Sequence, residues 1–412
     1  MLNFRKYPNI TKVSIPNNVQ LSNDNMHNAF YNMRNLTNVD FKHSNIKYMS
    51  NMYYNCTNLI DQPFCGDNVT SMYCTYSNCN NLTGNPVCGD NVTNMAYAYR
   101  NCYNLTGSPV CGNNVTNLTN TYQNCRNLTG SPVCGNKVTN MNRTYDQCYN
   151  LTGNPACGNK VTSMSFTYNN CTNITGSPVC GDNVTNMHYA YSNCRNITGN
   201  PVCGSNVTSL YQTYYNCTNI TGNPVCGDNV KTMYQTYYNC TNLTGSPVCG
   251  NNVTNLTNTY QNCRNLTGNP VCGNKVTNML YTYYRCYNLT GSPVCGDNVT
   301  NMASTYYQCY NLTGNPVCGP NVTNMASTYY YCDNLNACTV NWYAPYIINA
   351  TSCFAGKNNS RRYNIRIPAN STTLNTLLIS NMKSIVGTII TWTNTGTYHY
   401  NTAYNIYIYP DL

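Results

Sequence analysis

The sequence predicts an α/β solenoid, with a short parallel strand and a short helix in each coil and a β-rich C-terminal cap. Three observations predict it. The segment from Pro86 to Ser108 is followed at Pro109 by a close copy, and the 23-residue step runs without insertion or loss from Cys56 to Cys332. A fixed period of this size marks a body in which each coil buries its apolar side only against its neighbours. Within a coil, Met95, Tyr99 and Cys102 fall at i, i+4 and i+7, the spacing of one helix face, and Leu105 is the next inward residue. On the opposite side, Leu105-Thr106-Gly107-Ser108-Pro109-Val110-Cys111 reads as extended chain stacking in parallel. Proline cannot donate to a ladder, which holds that strand to two or three residues near Val110-Cys111.

The elements follow in order. Residues 1–25 form an N-terminal cap or attachment segment, in which Ile10 to Pro16 alternates apolar and polar residues as a short strand does. Residues 26–335 form the solenoid of about thirteen 23-residue coils. Its first coil is degenerate: Met26, Phe30, Met33 and Leu36 keep the inward spacing, but Met33 and Lys42 stand where later coils carry cysteine. In the regular coils, Asn91 or Thr93 is placed to cap the helix start, and Val87 and Val92 complete the inward set. Residues 336–412 leave the period. Cys338 and Cys353 belong to one irregular coil, and Ser371–Ile379 reads as a short helix. Ile389–Thr393 and Tyr404–Tyr409 read as strands, with a turn at Asn394-Thr395-Gly396.

Composition excludes several function classes. Only 8% of residues are charged, and glutamate is absent. The net charge of +10 is concentrated at the ends: Cys56 to Leu335 carries ten Lys/Arg against eight Asp, while residues 1–55 and 336–412 contribute +4 each. A nucleic-acid partner needs a continuous basic face, and the repeats have none; Lys357, Arg361, Arg362 and Arg366 read as a solvated basic turn. No apolar run is long enough to insert in a membrane, and the start lacks the apolar core of a secretory signal. Metal binding is disfavoured because there is no Cys-x-x-Cys, only four histidines occur, and cysteine spacings of 9 and 14 match no common zinc motif. Without clustered carboxylates or a Ser/His/Asp set, no enzyme and no cofactor are expected. A glycan depolymerase is the nearest enzymatic alternative.

The segment Val92-Thr93-Asn94-Met95-x-x-x-Tyr99-x-Asn101-Cys102-x-Asn104-Leu105-Thr106, recurring in register over residues 26–335, resembles the BspA-like leucine-rich repeat surface proteins of bacteria. Their repeats read approximately V-T-N-M-x-x-M-F-x-x-C-x-x-L-T. The resemblance implies a leucine-rich-repeat-type solenoid and a role in surface adhesion, with no catalytic residues to carry over. The sequence departs from that pattern in three ways. Tyrosine replaces phenylalanine, the leucine-rich strand becomes Gly-x-Pro-Val-Cys, and a second cysteine column appears.

The cysteines are expected to be either buried thiols, as the family's single cysteine is, or disulfide staples across each coil. The two columns come and go together, and the total of 28 is even, which favours staples such as Cys65–Cys79, Cys88–Cys102, Cys111–Cys125, Cys134–Cys148, Cys318–Cys332 and Cys338–Cys353. Pairing in the other direction, Cys56–Cys65 onward, stays open, because sequence cannot decide connectivity.

Ligand-binding candidates are sought among residues that change from coil to coil and favour interfaces: Tyr97, Arg100, Tyr103, Arg126, Arg143, Tyr149, Tyr189, Arg195, Tyr211, Arg264, Tyr281 and Arg285. The lone His188 takes no catalytic role, and sequons such as Asn91-Val92-Thr93 read as cap and turn chemistry. Segments Cys111–Asn140 and Cys249–Asn278 differ at one position, so part of the uniformity records block duplication. The function expected is a fibre or decoration protein on a virion, of a bacteriophage, binding a host surface protein or glycan and joined to virion proteins through a terminal cap. The alternative is a bacterial cell-surface adhesin of the BspA-like type. Either is extracellular, and either is compatible with a homo-oligomer.

Overall fold

The computed structural model describes residues 3–16, 25–40, 45–335 and 349–356, and the backbone of 339–342, 363–367, 393–394, 399–401 and 406–410. Lys42, Cys338, Lys357, Arg361, Arg362 and the expected helix Ser371–Ile379 lie outside the described residues. The chain divides into two compact units, Met1–Val207 and Thr208–Leu412, built from the same coil.

The side of the coil expected to be helical is a succession of tight turns. In the first unit the N–H groups of Ala98, Arg100 and Cys102 donate within the coil to the carbonyls three residues back. Those of Met95, Tyr97, Tyr99 and Asn101 donate to Asn117, Thr119, Thr121 and Gln123 of the next coil, at 2.8–3.1 Å. The second unit repeats the scheme: Thr259 and Cys263 bond inside the coil, while Leu256, Asn258, Tyr260 and Asn262 bond to the coil beginning at Asn278. Half of the donors thus leave the coil, which a helix forbids. Two residues per coil make this possible by taking left-handed backbone, φ 60° at Tyr97 and 61° at Asn101. Each is the third residue of its turn, where type II turns require positive φ. Successive turns place inward residues three and four apart, so the Met-Tyr-Cys-Leu spacing is the same as that of a helix face. With no helix to cap, the turns open not at Asn91 or Thr93 but at Asn94, whose Oδ1 accepts from the Ala96 N–H at 2.9 Å.

Inside the coils lie columns of Val92, Met95, Tyr99, Cys102 and Leu105 and their counterparts, all essentially without exposure. The tyrosines stack on one another. In Tyr76 through Tyr191 ring centroids are 5.4–5.6 Å apart with planes within 12° of parallel, and Tyr214–Tyr237 and Tyr260–Tyr283 repeat this in the second unit.

The Pro-Val-Cys side forms no strand in the regular coils. Its backbone is satisfied instead by the tyrosine that crosses the core: Tyr99 Oη donates to the Val87 carbonyl at 2.8 Å and accepts from the Val87 N–H at 3.0 Å. Tyr122 does the same for Val110 and Tyr237 for Val225. Phenylalanine would leave both backbone groups buried and unpaired. The tyrosine and the proline-bearing segment are therefore one departure from the family pattern, not two. Pro86 is buried, and Val87 is only half-buried.

The cysteines are reduced thiols, outside any disulfide, at every described position, which corrects the expected staples Cys65–Cys79, Cys88–Cys102, Cys111–Cys125, Cys134–Cys148 and Cys318–Cys332. Cys353 is reduced as well. The reason is the tyrosine between the two columns. The Cys125 thiol donates to the Tyr99 carbonyl at 3.0 Å, at the root of the tyrosine column. Cys111 follows Val110, which holds the Tyr122 hydroxyl at the column's tip. A tyrosine side chain thus separates the columns, beyond the Cα separation of about 4.4–6.8 Å that a disulfide spans. Cysteine serves as a small buried donor, as Thr121 does when its hydroxyl donates to the Met95 carbonyl at 2.9 Å. The second column packs under the next coil's glycine, with the Cys88 sulfur 3.0 Å from where a Cβ on Gly112 would stand.

At the ends the repeat gives way to strands. β1 (Lys12–Ser14) pairs in parallel with β2 (Asn38–Asp40). In the second unit β3 (Val317–Cys318), β4 (Thr339–Trp342), β5 (Tyr363–Ile367) and β8 (Ile406–Pro410) run in parallel, followed by antiparallel β7 (His399–Asn401) and β6 (Thr393–Asn394), in the order β3-β4-β5-β8-β7-β6. The β-rich C-terminal segment is present, with the second expected strand at 406–410. The Val-Cys strand forms here because β4 lies beside it. Val317 no longer relies on a tyrosine, and the Tyr329 hydroxyl is buried without a hydrogen-bond partner among the described residues.

Candidate functional site: outward columns of tyrosine and arginine

Side chains on the outer turns repeatedly meet their own counterparts 23 residues away. The residue pair, not the residue, is therefore the unit of the surface. Of the sequence candidates, Tyr103, Arg126 and Tyr149 form one column, with the Arg126 guanidinium 4.9 Å and 6.0 Å from the two ring centroids. Arg143 lies 4.1 Å from the Phe166 ring, which stacks on Tyr189 at 4.4 Å. Tyr211 stacks on Tyr234 at 4.9 Å. Arg264 sits 5.6 Å from Tyr287, which stacks on Tyr310. Tyr97 meets Tyr73 edge-on and lies 5.9 Å from Arg100. Arg195 is exposed.

Four of the candidates occupy the first left-handed position of their turns: Tyr97, Arg143, Tyr189 and Tyr281, with φ of 54–60°. Arg285 occupies the second, at 61°. Elsewhere these positions hold mainly Asn, Gln or Ser, and asparagine adopts this conformation more readily than a bulky side chain.

The column five residues beyond the inward methionine was missed except at Arg100. In the first unit it begins with stacked Tyr31 and Tyr54, 4.9 Å apart, and is polar from Arg100 to Asn169. Arg100 Nε donates to Gln123 Oε1 at 3.0 Å, Gln123 Nε2 to Asp146 Oδ2 at 3.0 Å, and Asn169 Nδ2 to Asp146 Oδ1 at 2.9 Å. Arg143 adds an ion pair at 3.3 Å. Asp146 is buried, and burial raises its carboxyl above the usual range against the pull of those donors. In the second unit the same column is aromatic on either side of Gln261: Tyr215–Tyr238 and Tyr284–Tyr307–Tyr330 stack at 4.6–4.7 Å. Reading the sequence down its 23-residue columns would have found both. Among the described residues no cluster of three or more His, Cys or Asp could hold a metal ion.

The profile of the BspA-type leucine-rich repeat region, six copies long, matches residues 3–129 and 139–267. The chain belongs to the BspA-type leucine-rich repeat family. Residues 254–368 of this BspA-type chain also match a family described as a Mycoplasma protein of unknown function, DUF285. Similar solved structures include two bacterial proteins. One is a leucine-rich repeat protein from Bacteroides ovatus, at 15% identity over 80% of this chain and 86% of that one, with a TM-score of 0.48. The other is a leucine-rich cell surface protein from Faecalibacterium prausnitzii, at 16% identity over 80% and 87%, with a TM-score of 0.37. Among curated proteins none matches.

Proposed function

We propose that this chain is a cell-surface adhesion protein of the BspA type, binding its partner through the outward tyrosine and arginine columns. The observation that carries the reading is membership of the BspA-type leucine-rich repeat family combined with an interior that changes only between similar apolar residues and an outer face that changes from coil to coil. On that face Tyr offers large rigid contact area at little loss of side-chain freedom, Asn and Ser offer adaptable hydrogen bonding, and Arg offers charged anchors. Among the described residues no helix is long and apolar enough to cross a membrane. The virion fibre expected first draws no support from the family match, so the surface adhesin takes its place.

Immunolabelling of intact producing cells, paired with adherence of beads coated with the purified chain, tests this reading. Surface label and bead adherence are expected. Label confined to the cell interior, or to released virions, would sink it.

A further inference from the structure

We infer that the second unit carries a binding site for a linear acidic polysaccharide, centred on Tyr281, Tyr284, Arg285, Tyr307 and Tyr330. The inference rests on the adhesive reading and names its ligand class. Three observations point there.

The first is geometry. Tyr284, Tyr307 and Tyr330 stack at 4.6 Å with planes within 14° of parallel, so ring faces are occupied by one another. The edges and hydroxyls of Tyr284 and Tyr307, half-exposed, remain for a ligand, while Tyr330 closes the stack with Tyr331 set edge-on to it at 4.6 Å. Ring edges carry the positive end of the aromatic quadrupole, and phenols donate and accept hydrogen bonds. Such a surface suits oxygen-rich groups and gives a flat aromatic ligand nothing to stack on. Its units recur at the coil spacing of about 4.8 Å, so it suits a polymer of identical units, and an extended chain of 1,4-linked galacturonate advances by a similar step per residue.

The second is charge. Arg285 Nε donates to Gln308 Oε1 at 3.0 Å and its guanidinium lies 5.1 Å from the Tyr284 ring. No carboxylate pairs with it among the described residues; the ion pair found there is Arg143–Asp146. The side chain is thereby held in place with its positive charge uncompensated, and carboxylates are the groups that the guanidinium fork recognises.

The third is strain. Tyr281 and Arg285 both take left-handed backbone, φ 54° and 61°, in a single coil. Tyr281 stands edge-on to Tyr284 at 5.5 Å and is among the most exposed large side chains. Bulky residues persist in such backbone where the surrounding structure or function demands them, and asparagine serves the fold at the same positions in coil after coil.

The test uses the full chain and galacturonate oligomers of increasing length, with binding read by calorimetry. Affinity is expected to rise with oligomer length until the stack is spanned. It should fall about tenfold in Tyr307→Ser and in Arg285→Asn, the scale of one lost charge-assisted or aromatic contact. Arg285→Asn should at the same time leave the melting temperature close to that of the parent, since eased left-handed backbone offsets the lost contacts to Gln308 and Tyr284, which separates lost binding from lost folding. Length-independent affinity, unchanged affinity in both variants, equal binding of a neutral glucan, or stronger binding of polyglutamate would each overturn the inference. If galacturonate fails while coated beads still adhere to cells, the ligand class is wrong and the adhesive reading stands.

Discussion

One column of the repeat has two characters. In the first unit, Arg100, Gln123, Asp146 and Asn169 form a hydrogen-bonded relay converging on a buried carboxylate. In the second, Tyr284, Tyr307 and Tyr330 occupy the same position as half-exposed stacked rings. The backbone beneath is the same: Gln123 and Tyr307 both supply carbonyls to the preceding coil at 2.8 Å. The difference teaches that the coil specifies only its interior. On the surface each side chain is chosen by its neighbour one coil away, so a column can change chemistry without disturbing the turns, provided that neighbours satisfy one another.

The largest expected effect should not distinguish the regions, because both carry the thiol columns. Burial pushes the Cys65 thiol up to about 11 and Cys88 to about 12 in the first unit, and Cys272 to about 11 in the second. The unfolded chain ionises near 9, so stability is full below that pH and is lost progressively between about pH 9 and 12 as the unfolded state alone releases protons. Melting temperature followed by circular dichroism should fall steeply over that window. Stability unchanged at pH 11 would mean that the thiols are not buried in this way.

Asp146→Ala comes next. It strands donors from Gln123, Asn169 and Arg143 and should cost about 2–4 kcal/mol, measured by urea unfolding. Tyr307→Ala in the aromatic column, with water at hand, should cost only about 1 kcal/mol. Equal losses would erase the contrast between the two columns.

A second comparison lies inside the core. Tyr122→Phe removes both hydrogen bonds to Val110 and should cost about 1–3 kcal/mol. In Tyr329→Phe, at the coil where Val317 joins a strand instead, stability should be unchanged or slightly higher, since that hydroxyl has no described partner. A cost at Tyr329 matching that at Tyr122 would show that the Tyr329 hydroxyl is hydrogen-bonded after all. The smallest effect belongs to Phe166→Asn in the first unit. Easing the left-handed position at φ 56° offsets loss of the contacts to Arg143 and Tyr189, leaving a change within about 1 kcal/mol.

The solenoid, its period, its inward residues and its family were legible from sequence, because an exact repeat forces every equivalent residue into the same environment. Helix and strand were misread for a physical reason. Met95, Tyr99 and Cys102 keep the same inward spacing whether the chain is helical or a series of turns, and the left-handed asparagines that decide between them are polar residues that any exposed helix face would tolerate. The staples were misread because pairing depends on distance across the core, which a count of cysteines does not contain. Of the candidate site, the tyrosines and arginines that vary were found one by one, but their stacking was not, since partners lie 23 residues apart and appear unrelated along the chain.

By itself, then, the sequence determined which residues face inward and that successive coils stack in register, because apolar burial follows directly from a strict period. Only the tertiary structure decided where the backbone's hydrogen bonds go. Half the turn donors leave their own coil, and the proline side, unable to build a ladder, is completed by a tyrosine reaching across the core from 12 residues further on.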